Sequence, residues 1–195
     1  MNDSKTKHTM LLSVFTALFA ALIAVCGFIA VPLPGSPVPI VLQNMMPILA
    51  AALLGGFQGA GATGLFLLAG IAGLPVFSGG HSGMARLLGP TGGFLVGYFI
   101  AAAVTGFYIG RPSISGKTPL IKIISGCLLG FVILYVPGIA QFMRVTGKTL
   151  GQSLAVACIP FLPGDALKAA LTVFLAAKLR PVIARYLYKE PNTAE

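Results

Sequence analysis

Six long apolar stretches separated by short polar or proline-rich breaks dominate the chain, at residues 10–31, 40–55, 57–74, 91–110, 119–142 and 151–179. Each comes near the ~20 residues that a helix needs to cross a bilayer core. The second is short, and Gly55-Gly56-Phe57 leaves almost no loop before the third, so these two must form a tight antiparallel hairpin. The pattern predicts an all-α integral membrane protein of six transmembrane helices in a single domain over residues 1–195, with ends at 1–8 and 188–195 that lean towards disorder. The first stretch follows Lys5 and Lys7 as a signal peptide would. Its apolar run is about twenty residues, long for a signal core, and no small-residue cleavage site precedes the Pro-rich turn. We read it as a retained span.

Composition strengthens the membrane reading. Only 9% of residues are charged, 56% are hydrophobic and the mean hydropathy is +0.94, whereas a soluble domain is about a quarter charged. The net charge of +9 raises the question of nucleic acid. The basic residues, however, lie at segment ends and in short loops rather than in a stripe with interleaved aromatics, so the expected partner is the lipid bilayer and not a nucleic acid. With the N-terminus inside, the inner segments carry Lys5, Lys7, Arg111, Lys117, Lys122, Lys178, Arg180, Arg185 and Lys189, and the outer ones only Arg86, Arg144 and Lys148. Nine against three predicts cytoplasmic termini and outward loops at 32–39, 75–90 and 143–150. Cys26, Cys127 and Cys158 all fall inside apolar segments and read as small buried hydrophobes.

Catalytic chemistry is thin. Gly110-Arg-Pro-Ser-Ile-Ser-Gly116-Lys117-Thr118 resembles a nucleotide-binding loop but has five residues between its glycines where the motif has four. His81-Ser82 lies in a glycine-rich turn, and two histidines with one interior carboxylate cannot build a closed metal site. No enzyme activity, cofactor or metal is expected.

What remains is Asp165, the only acidic residue between Asp3 and Glu190, with Lys168 three positions later on the same helical face. Ionisable groups at membrane depth usually face a cavity, a partner or a substrate. Three roles stay open for Asp165: cap of a helix that starts after Pro163-Gly164, partner of Lys168 in an internal ion pair, or ligand-binding group. Gln43 at the end of a proline-rich loop, Arg86 and Thr91 in a glycine-rich one, and Tyr98 two turns into the next helix gather at the same outer level. Such a set suits a small amphiphile with N–H donors and a carboxylate.

Val-Pro-Ile-Val-Leu-Gln (38–43), Gly-Leu-Pro-Val-Phe (73–77), Leu-Leu-Gly-Pro-Thr-Gly-Gly-Phe-Leu-Val-Gly-Tyr (87–98) and Pro-Phe-Leu-Pro-Gly-Asp-Ala-Leu-Lys (160–168) occur in this order. Together they resemble the BioY family, the biotin-specific substrate-binding subunit of energy-coupling factor transporters, over about residues 10–180. Val41 departs from the Thr expected there. The resemblance implies biotin capture from outside the prokaryotic cell membrane, with a transmembrane coupling subunit and a pair of cytoplasmic ATPases supplying the energy. It implies that Gln43, Arg86, Thr91, Tyr98, Asp165 and Lys168 bind substrate, Asp165 facing the ureido N–H groups. It also implies that Ala17, Ala21 and Ala24 of the first helix meet the coupling subunit. Either Lys168 or Arg86 takes the carboxylate, with Lys168 favoured for its rigid helix. The alternatives are a different vitamin on the same fold and a proton-coupled carrier in which Asp165 titrates.

Overall fold

A computed structural model describes residues 2–34, 38–114 and 116–187. The chain is mostly helical: α1 (Asn2–Cys26), α2 (Met45–Leu54), α3 (Gly56–Ile71), the short α4 (Met84–Leu88), α5 (Gly92–Ile109), α6 (Leu120–Thr146), α7 (Leu150–Ala157) and α8 (Leu162–Leu187). A two-stranded antiparallel ribbon, β1 (Ala30–Val31) with β2 (Ile40–Val41), joins α1 to α2 and is the departure from an all-α fold. Helix α1, α5, α6 and the α7–α8 run are long and apolar enough to cross a membrane, while α2 and α3 have 10 and 16 residues.

Helix α2 is the core. All ten of its residues are buried, with Ile48 and Leu54 fully enclosed, and α1, α3, α5, α6 and α8 surround it. The outer faces are apolar as well: Val132, Val136, Leu167 and Phe174 all project from the bundle. A soluble protein does not expose so much hydrocarbon; a lipid-facing one must.

Close packing depends on glycine. Gly55 turns the chain with φ 89°, a left-handed value that favours glycine, and α3 returns directly along α2. A Cβ on Gly59 would lie 2.3 Å from the Cα of Ala51, so the hairpin admits no side chain there. Gly93 and Gly97 let α5 approach the carbonyl oxygens of Pro137 and Leu134, where added Cβ atoms would lie at 2.2 and 2.5 Å. These glycines thus pack the bundle internally.

Several boundaries differ from the sequence expectation. Helix α1 begins at Asn2, so residues 2–8 are helical instead of disordered, and it ends at Cys26 because the chain turns at Gly27 to make the ribbon. The other end, 188–195, lies outside the described residues. The sixth apolar stretch breaks at Cys158–Phe161, not at Pro163-Gly164. Pro160 has no N–H to offer the carbonyl four residues back, so α7 stops there, whereas Pro163 sits in the first turn of α8, where that N–H has no partner to lose.

Gly59→Ala should therefore lower stability by about 1–3 kcal/mol through overpacking. Gly61→Ala, whose Cβ would meet only Thr16 Cγ2 at 3.6 Å, should be neutral or stabilising. Thermal unfolding of both variants in detergent checks the contrast.

Candidate functional site

The first turn of α8 meets the segment leading into α2. Asp165 is buried, and its carboxylate lies 2.5 Å from the ammonium of Lys168. Asn44 Nδ2 donates to Asp165 Oδ1 at 3.0 Å, and the hydroxyl of Tyr135 on α6 donates a short hydrogen bond to Oδ2. Lys168, also buried, donates to the backbone carbonyl of Val41 at 2.9 Å and to Asn44 Oδ1 at 2.8 Å. An ammonium has three donors, and all three are engaged. Asp165 is the fourth residue of α8 and caps nothing; the cap reading is corrected in favour of the ion pair. A buried pair of this kind is tolerable only because each charge has further hydrogen bonds.

Above this knot lies a narrow cavity of about 60 Å3. Gln43, Arg86, Thr91, Tyr98, Asp165 and Lys168, the six residues singled out from sequence, all line it. Its apolar wall includes Phe77, Phe94, Leu134 and Phe161. Gln43 is fully buried, and its Nε2 donates to the carbonyl oxygens of Ile23 and Val76, both at 2.9 Å. Two acceptors fix the amide's orientation and leave Gln43 Oε1 buried without a partner among the described residues. Gly27 makes this possible, since a Cβ there would lie 2.5 Å from Gln43 Nε2.

Thr91 stands at the N-cap of α5 but makes no capping bond, and its buried Oγ1 likewise lacks a partner among the described residues. Tyr98 is buried and lines the cavity together with Arg86. Arg86 projects from α4, whose end is anchored by Gln141: Nε2 donates to the carbonyl oxygens of Leu87 and Gly89, both at 2.7 Å. Among the described residues the guanidinium has no hydrogen bond or ion pair, and partial burial lowers its pKa from the ordinary value. His81 is committed elsewhere, its Nδ1 donating to the Ser78 carbonyl at 2.8 Å within its own turn.

Sequence reasoning missed Asn44, Tyr135 and Gln141. The signal for Asn44 was present: it is the only asparagine between Asn2 and Asn192, inside an apolar stretch like Asp165. On α1, Ala17 and Ala21 are exposed, whereas Ala24 is half-buried and packs against the core.

Four helices of spanning length with an apolar exterior and a polar knot sealed inside define a multi-pass membrane protein. Residues 1–185 match the BioY family. The biotin transporter BioY of Rhizobium etli is 40% identical over 167 residues, covering 83% of this chain and 89% of that protein. The biotin transporter BioY of Rhodobacter capsulatus is 39% identical over 176 residues, covering 84% and 92%. The crystal structure of the S-component for biotin from an ECF-type ABC transporter superposes with a TM-score of 0.79 at 32% identity, over 92% of this chain and 94% of that one. The chain belongs to the BioY family.

Truncating one member of the charge pair should be far worse than replacing both. Lys168→Met should cost about 3–5 kcal/mol by leaving Asp165 without its counter-charge, and Lys168→Met with Asp165→Leu should recover most of that loss. A double-mutant cycle on thermal unfolding in detergent measures the coupling.

Proposed function

We propose that the chain is the biotin-binding subunit of an energy-coupling factor transporter and takes biotin into the Asp165 cavity from outside the cell. Its family membership supports the ligand. The observation that carries the site is a cavity wall holding three groups without partners among the described residues: the acceptor Gln43 Oε1, the hydroxyl Thr91 Oγ1 and the cation Arg86. Buried polar groups without partners are uncommon in folded proteins and are costly unless a ligand satisfies them.

Biotin offers two ureido N–H donors, a ureido carbonyl, an apolar bicycle and a tail carboxylate. Asp165 Oδ1 already accepts from Asn44 and Lys168, and Oδ2 from Tyr135, so one lone pair of Oδ2 remains. One ureido N–H goes there and the other to Gln43 Oε1, while Thr91 donates to the ureido carbonyl. Tyr98, Phe77 and Phe94 enclose the bicycle. Arg86 takes the carboxylate; Lys168, favoured on sequence grounds, has no donor left and instead fixes Asp165. A cavity of about 60 Å3 is smaller than the roughly 300 Å3 that small-molecule sites usually offer, so the 75–91 segment carrying Arg86 swings outward to admit the ligand.

The single domain 1–195 crosses a prokaryotic cell membrane six times with both termini cytoplasmic. Supporting this, Lys168 and Arg180 of α8 bond to Val41 and Ala52 respectively, so α2 and α8 run in the same sense. The cations Arg111, Lys117, Lys178, Arg180 and Arg185 lie at the end away from the cavity, the end the positive-inside rule assigns to the cytoplasm. The chain is a transport subunit, not an enzyme; the coupling subunit and the ATPase pair supply the energy. Ala17 and Ala21, with Ala24 at the edge of the patch, form the face that meets the coupling subunit.

Detergent-purified protein should bind biotin saturably below micromolar concentration and prefer it to biotin methyl ester at least tenfold, about 1.4 kcal/mol. Arg86→Ala should erase that preference while retaining ureido recognition. Absence of saturable binding would sink the ligand assignment, and an unchanged preference would remove Arg86 from it. In cells carrying the whole transporter, Ala21→Trp should abolish uptake and leave binding intact; loss of both would make α1 an internal packing element only.

A further inference from the structure

At the end of the bundle opposite Asp165, the 110–119 loop and the last turns of α8 enclose a second cavity of about 530 Å3. Lys117 from the loop and Lys178 and Arg185 from α8 line it, all three side chains exposed. Among the described residues no acidic one does so. The buried Arg180 forms part of the wall, donating to the carbonyl oxygens of Ala52 and Gly110 and to Thr118 Oγ1. Like charges gathered around one concavity raise its potential and attract an anion.

A neighbouring feature selects the class of anion. Leu120 and Ala177 line the basic cavity and also a groove of about 560 Å3 between α6 and α8. That groove is walled entirely by apolar side chains, among them Leu128, Ala170, Val173 and Phe174. A basic basin that opens into an apolar groove on the lipid-facing surface matches one molecule with an anionic head and an acyl chain. A soluble phosphate compound would fill the basin and leave the groove exposed. The Gly110–Thr118 loop, which fails as a nucleotide motif by its spacing, contributes Lys117 and Thr118 to this basin.

We propose that the basin and groove together hold one anionic phospholipid, its phosphate among Lys117, Lys178 and Arg185 and an acyl chain along α6 and α8. Anionic headgroups are drawn to any basic segment near a membrane surface. This site differs in being concave and joined to a chain-binding groove, so it should retain lipid after detergent extraction.

Native mass spectrometry of the full chain, purified in detergent and mixed with dioleoyl phosphatidylglycerol or dioleoyl phosphatidylcholine, tests this. We expect at least fivefold more retained phosphatidylglycerol than phosphatidylcholine. Lys178→Gln with Arg185→Gln should reduce it at least fivefold, and Ala170→Trp, which fills the groove, should reduce it comparably. Lys117→Gln gives the same readout from a loop position should the helix variant fold poorly. Lys122→Gln removes a cation that lines neither space and should change nothing. Equal retention of the two lipids, or an equal loss in Lys122→Gln, would overturn the proposal in favour of general charge attraction. Displacement by inorganic phosphate or ATP with no effect of Ala170→Trp would overturn it in favour of a soluble anion.

Discussion

Helix α2 has no face towards lipid or water, so both of its ends must be closed by other parts of the chain, and two buried cations of α8 do this. Lys168 holds the carbonyl of Val41 at one end, and Arg180 holds that of Ala52 at the other. They lie twelve residues apart on α8, about 18 Å along a helix axis, and their partners are eleven residues apart on the chain they bind. Backbone groups left unpaired in a medium without water cost several kcal/mol each. The pairing of α8 with α2 is therefore obligatory, and it sets the register of everything packed around them.

The cavity inherits its shape from this clamp. Fixing Lys168 requires Asp165 and Asn44; fixing Asp165 requires Tyr135. The result is a rigid floor whose charges are almost wholly consumed by the protein itself. The groups left over stand on other elements: Gln43 before α2, Arg86 on α4, Thr91 at the head of α5. Support and spare bonding capacity are thus divided. The groups most constrained by folding hold the floor, and those with spare hydrogen-bonding capacity face the space above it.

At the other end, Arg180 spends its donors on Ala52, Gly110 and Thr118 and thereby ties the 110–119 loop to the bundle. That tie places Lys117 beside Lys178 and Arg185. A structural bond to a backbone carbonyl therefore creates a basic concavity as a by-product, much as Lys168 creates the floor of the Asp165 cavity.

The sequence by itself determined the membrane character, the existence of the long helices and six polar positions that line one cavity. Each of these rests on local pattern: an apolar run has a length, and Asp165 in an apolar stretch is costly wherever it lies. Gln43, Arg86, Thr91, Tyr98, Asp165 and Lys168 could be picked because few polar residues interrupt the hydrocarbon. The tertiary structure alone decided how their bonding capacity is shared. Asp165 and Lys168 look equally available on a helical face; only the approach of Val41, Asn44 and Tyr135 from distant elements shows both engaged, and Arg86 unpaired among the described residues. Asn44 went unread for the same reason, because its value lies in bridging two charges more than 120 residues away. A hydrogen bond is a relation between two groups, and a chain pattern specifies only one of them at a time.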